Sequence, residues 1–182
     1  ILTNLHLHPD ERRLDALLRQ ADEQMRAALR ALAEGADARK PLILLEETLR
    51  QADECAAKNA ENSLTDAPTR EIHYINMRRQ QRRILLQVTK DAQKVQGHPP
   101  QEAEVRALIG RIFAEYDREN DCTSLLSALH DLLAEMQRQP LPATRGEFED
   151  RALLYVLLRR MEDFLLLKRE FYETYGFEKI TN

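Results

Sequence analysis

Tryptophan is missing from this chain, and its 182 residues include only five glycines, seven prolines and two cysteines. So little glycine and proline argues against a sheet protein, whose many short strands need many turns. The two cysteines, Cys55 and Cys122, stand alone without a CxxC or other ligand spacing. They read as reduced, partly buried thiols in a cytosolic setting rather than as a disulfide framework. Long apolar runs are also missing. The longest, Leu153 to Leu158, falls far short of the ~20 residues that span a bilayer, and it is too short for a signal-peptide core. A net charge of -4 shows no basic excess, which excludes the usual nucleic-acid binder.

What remains is rich in Leu, Ala, Glu and Arg, with 32% charged residues, the composition of long helices. Six helices can be read. The first, about Pro9 to Glu34, carries Leu14, Leu17, Leu18, Ala21, Met25, Ala28, Leu29 and Leu32 at helical spacing, and Gly35 stops it. The second, about Asp37 to Ser63, has a seam that narrows from Leu42, Leu45 and Leu49 to Ala52, Ala56 and Ala60, so a neighbour can approach closely. The third runs from Thr69 to about Gln96, where Gly97, His98, Pro99 and Pro100 end it. The fourth (about Gln101 to Asp117) and fifth (about Thr123 to Arg138) are shorter. The sixth, about Gly146 to Tyr175, opens with a capping box in which Thr144 accepts from the N–H of Glu147 and Glu147 reaches back to Thr144. Short loops imply antiparallel neighbours. The expected fold is all-α: one elongated, four-helix-bundle-like domain over 1–182, with one position made of the two shorter helices and broken near Asn120 and Asp121. Residues 1–8 form an N-terminal arm.

Few residues advertise chemistry. His6 and His8 form an HxH pair, but no carboxylate or histidine partner is placed by a known spacing, so the pair reads as surface arm. Glu-x-x-His, the signature of a di-metal bundle, does not occur. There is no glycine-rich phosphate loop and no serine elbow. Cys55 looks like packing in the alanine seam, and Cys122 stands where a helix dipole lowers a thiol pKa. We therefore expect neither enzyme nor cofactor nor metal. The strongest charge feature is Arg78, Arg79, Arg82 and Arg83. Arg78, with Gln81, borders the apolar face and is the candidate buried charge, either paired with a carboxylate on the sixth helix or holding an anion. The sixth helix opens with a charged collar, Arg145, Glu147, Glu149 and Arg151. Its i,i+4 pairs Arg145–Glu149 and Glu147–Arg151 either fix register or line a small site; register fixing is the simpler reading. Nearly all of Phe148, Tyr155, Phe164, Phe171 and Tyr172 are expected in the core or in grooves, with Tyr172 to Phe177 a contact patch.

Two stretches resemble a known family. One is Tyr74 to Leu86, YINMRRQQRRILL. The other runs from Leu141 to Phe171 and carries Pro142, Thr144, Arg145, Glu147, Phe148, Glu149, Arg151, Ala152, Phe164, Leu165 and Lys168 at characteristic spacing. Both are similar to the cytosolic C-terminal domain of the putative aromatic acid exporter family of bacterial membrane proteins. Gly146 departs from the polar residue expected at its place. The resemblance implies a soluble module at the cytoplasmic face of the plasma membrane, following a membrane-embedded N-terminal region of the same chain. It implies a non-enzymatic regulatory or assembly role in the export of small organic anions. Its partners would then be that membrane region, a second copy of itself, or a small organic anion bound near Arg78, Arg145, Glu147 and Arg151. The alternative reading is a soluble helical adaptor that binds other proteins.

Overall fold

A computed structural model describes residues 9–62, 69–117 and 119–176. The arm with His6 and His8, the loop over 63–68 and Phe177 lie outside the described residues. Six helices follow in order: α1 (Pro9–Ala33), α2 (Arg39–Asn62), α3 (Thr69–Ala92), α4 (Pro100–Glu115), α5 (Thr123–Arg138) and α6 (Arg145–Tyr175). No strand occurs among the described residues, so the all-α reading stands.

The apolar stripes seen in the sequence make the core. All eight residues read as the α1 stripe are buried, and so are Leu42, Leu45, Leu49, Ala52 and Ala56 of α2. α1 packs on α2, α2 on α3, and α3 along much of α6. The ends of α1 are set by simple chemistry. Pro9 opens the helix, where its missing N–H is no loss, and Asp10 and Glu11 sit at the positive end of the dipole. At the other end Ala36 N–H donates to Ala31 O (2.8 Å) and Gly35 N–H to Leu32 O (3.1 Å), a Schellman closure that needs the positive φ of Gly35 (72°).

The two shorter helices are present as expected, but the break between them turns the chain back. Gln101 near the start of α4 donates to Gln139 just past α5 (2.6 Å), and Arg111 donates to Ser124 (2.6 Å). α4 and α5 therefore lie antiparallel, side by side rather than end to end. The turn is built by short polar side chains. Asn120 donates to Glu115 O (2.7 Å) and accepts from Cys122 N–H (2.7 Å), Asp121 accepts from Thr123 N–H (2.9 Å), and Cys122 takes a left-handed backbone (φ 64°).

α3 ends four residues earlier than the sequence suggests. A buried carboxylate explains the difference: Asp150 of α6 accepts from the backbone N–H groups of Gln96 (3.0 Å) and Gly97 (2.7 Å) and holds that segment as a turn. The α6 cap also differs in one detail. Thr144 accepts from Glu147 N–H (3.1 Å) as read, while Glu147 reaches back to the N–H of Ala143 (2.8 Å) instead of Thr144.

Because two backbone donors share the Asp150 carboxylate, Asp150→Ala should lower the unfolding free energy by about 2 kcal/mol and Asp150→Asn by less. Urea unfolding checks this: the midpoint should fall with the slope unchanged.

Candidate functional site

The most charged place inside the bundle is built from four helices. Asp22 of α1 lies at the level of Leu18 and Met25, on the stripe that faces the core. Across from it, α3 presents Tyr74, Arg78 and Gln81 at spacings of four and three, hence on one face. Tyr116 enters from the end of α4, and Phe164 and Lys168 come from α6. Arg78 is 1% exposed. Its Nη2 and Nε donate to Asp22 Oδ1 (2.7 and 3.0 Å), and Nη2 also donates to the Tyr74 hydroxyl (2.7 Å). Nη1 donates to Gln81 Oε1 (2.7 Å) and to the Tyr116 hydroxyl. The hydroxyls are themselves committed, Tyr74 to Asp22 (2.5 Å) and Tyr116 to Gln81 Oε1 (2.8 Å). Gln81 completes the chain by donating to Phe164 O (2.8 Å), which ties α3 to α6. The guanidinium also lies over the rings of Tyr74 (4.8 Å) and Tyr116 (5.0 Å).

Burial works against the charge on Arg78, but Asp22 and the Tyr74 hydroxyl outweigh it, so its pKa is raised. Lys168 is the second buried cation. Its Nζ donates to the carbonyls of Asp117 and Asn120 (2.8 Å to the latter) and lies 4.7 Å from the Tyr116 ring centre. It pins the α4–α5 turn to α6. Burial lowers its pKa to about 8.

Arg78 and Gln81, the candidates on α3, thus sit together in this network. The carboxylate that pairs with Arg78 is not on the sixth helix, as the sequence reading allowed, but is Asp22 on the first. The other candidates lie elsewhere. Arg145, Glu147, Glu149 and Arg151 occupy the start of α6, 13 residues or more before Phe164, about 20 Å along the helix at 1.5 Å per residue. No single ligand site joins both groups. The expected pairs Arg145–Glu149 (2.8 Å) and Glu147–Arg151 (2.5 Å) are formed, and Arg151 also donates to Pro140 O (2.6 Å), closing the α5–α6 corner.

Two further readings need correction. Phe148 is 59% exposed rather than core. Cys122 does not have a lowered pKa: its thiol is enclosed, and burial pushes it up. Cys55 is buried against α1, donating to Asp10 O (3.4 Å). The aromatic last turns of α6 pack along α3, with Tyr175 on His73 (5.5 Å) and Phe171 on Tyr74 (5.3 Å).

Asp22, Tyr116 and Lys168 were not singled out as site residues by sequence reasoning. A signal existed for two of them: Asp22 interrupts the apolar spacing Leu18–Met25–Leu29, and Lys168 follows Met161 and Leu165 at core spacing. A lone charge on an apolar stripe marks a buried partner.

The architecture is that of a helical bundle cross-tied by an enclosed charge network. Among the described residues no group of His, Cys, Asp and Glu is fit to hold a metal, and no helix is long and apolar enough to cross a membrane. Over residues 5–169 the chain matches the family described as the putative aromatic acid exporter C-terminal domain, and it belongs to that family. It is 28% identical over 125 residues to the uncharacterized protein YqjA of Bacillus subtilis (strain 168). That match covers 69% of this chain but only 39% of YqjA, well under half of the relative's length. A crystal structure of a putative membrane protein from Clostridium difficile 630 has the same fold, with a TM-score of 0.76 at 22% identity over 88% of this chain and 99% of that one.

Replacing Arg78 by Met leaves the Asp22 carboxylate facing the core without its cation. The variant should lose about 3 kcal/mol of stability, measured by urea unfolding. Lys168 yields a pH signature. Its pKa is about 8 in the folded chain and 10.5 ordinarily, so between these values the unfolded state binds more protons and stability contributed by this group rises with pH. Unfolding curves at several pH values in that window should show wild type gaining on Lys168→Met as pH increases.

Proposed function

We propose that this chain is a non-enzymatic cytoplasmic domain that regulates or assembles a membrane-embedded exporter of small organic anions, carried on the same polypeptide. The observation that carries this reading is the family match over residues 5–169. The match to YqjA takes in a minority of that protein, which suits a module attached to something larger. The interior supports a framework role. The guanidinium nitrogens of Arg78 are spent on Asp22, Tyr74, Gln81 and Tyr116, and Gln81 on backbone, an arrangement that holds helices in register rather than offering groups to a substrate. Arg78 and Gln81 act here as structural ties, and the charged collar of Arg145, Glu147, Glu149 and Arg151 fixes the α5–α6 corner.

A second reading, a protein–protein adaptor, draws on the large apolar side chains left in water: Ile43 and Leu44 on α2, and Leu141 and Phe148 around the start of α6.

The test is efflux of a labelled hydroxybenzoate from cells carrying the complete coding sequence, with and without this domain. The regulatory reading expects the coding sequence to supply several spans of ~20 apolar residues. It also expects deletion of the domain to cut efflux while the membrane part still inserts. Unchanged efflux would remove the regulatory role. A coding sequence without apolar spans would remove the exporter altogether and leave the adaptor.

A further inference from the structure

α6 is apolar on two faces. Its inner face fills the core with Leu154, Leu157, Leu158, Met161, Phe164 and Leu165. A helix laid against a single core carries polar residues on its opposite face. The outer face of α6 instead carries three large apolar side chains in water: Phe148, Val156 (42% exposed) and Leu166 (43% exposed). At about 100° per residue these three fall within about 80° of one another around the helix, with the exposed Ala152 between the first two. The flanks of this stripe are taken. Arg160 donates to Asp91 of α3 (3.0 Å), and Glu162 pairs with His130 of α5 (2.6 Å). The stripe between these flanks is exposed.

Two charges share the same sector, and their order decides what fits there. Along the helix, Val156, Arg159, Asp163 and Leu166 run apolar, cation, anion, apolar, and all four are exposed. The series is symmetric about position 161. Turned end for end, it sets apolar against apolar and cation against anion. A second α6 crossing antiparallel, with the two-fold axis at the level of Met161, therefore puts Val156 on the partner's Leu166 and Arg159 on the partner's Asp163, each twice. Phe148 then comes against the last turn of the partner helix. Other alignments lose this match. Parallel helices put Arg159 on the partner's Arg159 and Asp163 on the partner's Asp163. An antiparallel pair centred on Arg159 again puts that arginine on itself. An interface between two like copies needs a patch that is its own complement, and this stripe has that property. Asp163 is available for the contact. Arg159, four residues away, donates to Glu162 Oε2 (2.7 Å) instead, and Asp163 makes no hydrogen bond or ion pair among the described residues.

We propose that two copies of this chain associate through the outer face of α6, the two helices crossing antiparallel at Met161. Burial of Phe148, Val156 and Leu166 supplies the attraction. The Arg159–Asp163 pairs fix direction and register, because exposed ion pairs add little affinity while like charges penalise a wrong alignment. The stripe from Phe148 to Leu166 is about 27 Å long at 1.5 Å per residue, a single helix face. Association of the isolated chains is therefore weak, and it strengthens where both copies are carried on membrane regions that hold them close, since the effective concentration is then high. That purpose, pairing of the exporter, rests on the assembly reading above; association of the chain itself does not.

The experiment combines sedimentation equilibrium of the 182-residue chain, from micromolar to millimolar concentration, with disulfide trapping. The mass should rise with concentration from one chain toward two. Val156→Cys together with Leu166→Cys should give a covalent dimer on mild oxidation, while either change alone should not. In this register position 156 meets position 166 of the partner, whereas the two copies of position 156 stand about 15 Å apart along the helices, beyond the ~7 Å that a disulfide bridges between Cα atoms. The native Cys55 and Cys122 are buried, and the wild-type chain sets the background. Arg159→Asp should raise Kd about tenfold, with two ion pairs turned repulsive. Adding Asp163→Arg should restore it, a rescue that misfolding cannot imitate. A single chain at every concentration overturns the proposal. Cross-linking by a single cysteine variant overturns the antiparallel register, and failure of the charge swap to rescue overturns the pairing of Arg159 with Asp163. Association is read on the chain alone and efflux in cells, so either reading can fail without the other.

Discussion

The bundle depends on one buried ion pair. A guanidinium with almost no contact with water is tolerable only if every donor finds an acceptor and its charge finds a counter-charge close by. Arg78 meets both conditions by drawing on α1, α3 and α4, and Gln81 passes the connection on to α6. Four helices are thereby held in one relative register. An apolar contact between the same helices would tolerate sliding by a turn; a network of directed hydrogen bonds would not. The net stabilisation of such a network is small, since desolvation offsets much of the attraction, but its loss is expensive.

Lys168 extends the same logic to the turn between α4 and α5. The α4–α5 turn presents carbonyls to the interior, and backbone acceptors there need partners. The ammonium group collects two of them and stacks against Tyr116, the residue that also receives Arg78. Two cations thus share one aromatic ring. The cost of burying both appears on Lys168, whose pKa is lowered to about 8, rather than on Arg78, which has Asp22 beside it.

The two ends of the molecule differ in kind. The end with Arg78 is filled and cross-tied, and its aromatic side chains run on from Tyr116 and Tyr74 to Phe171 and Tyr175. The other end holds the Asp150-bound turn and the exposed Leu141 and Phe148.

The helices, their stripes and most of their ends were legible in the sequence because they follow from local rules: the 3.6-residue period, Pro and Gly at termini, and the Thr144 cap. Arg78 and Gln81 were also legible, as polar residues on an apolar face. Their partners were not. Asp22 lies 56 residues from Arg78, and nothing in either segment specifies the other; only packing α1 against α3 brings them together. The same holds for Asp150, which shortens α3 from 53 residues away, and for the separation of Arg78 from Arg151, which depends on α3 and α6 running antiparallel. Side-by-side placement of α4 and α5 likewise required the third dimension, since a break near Asn120 reads the same whether the chain continues or turns back. Local sequence determined the elements and their inner faces. Tertiary structure decided which charges meet, because Coulomb attraction and hydrogen bonding depend on distance in space and not along the chain.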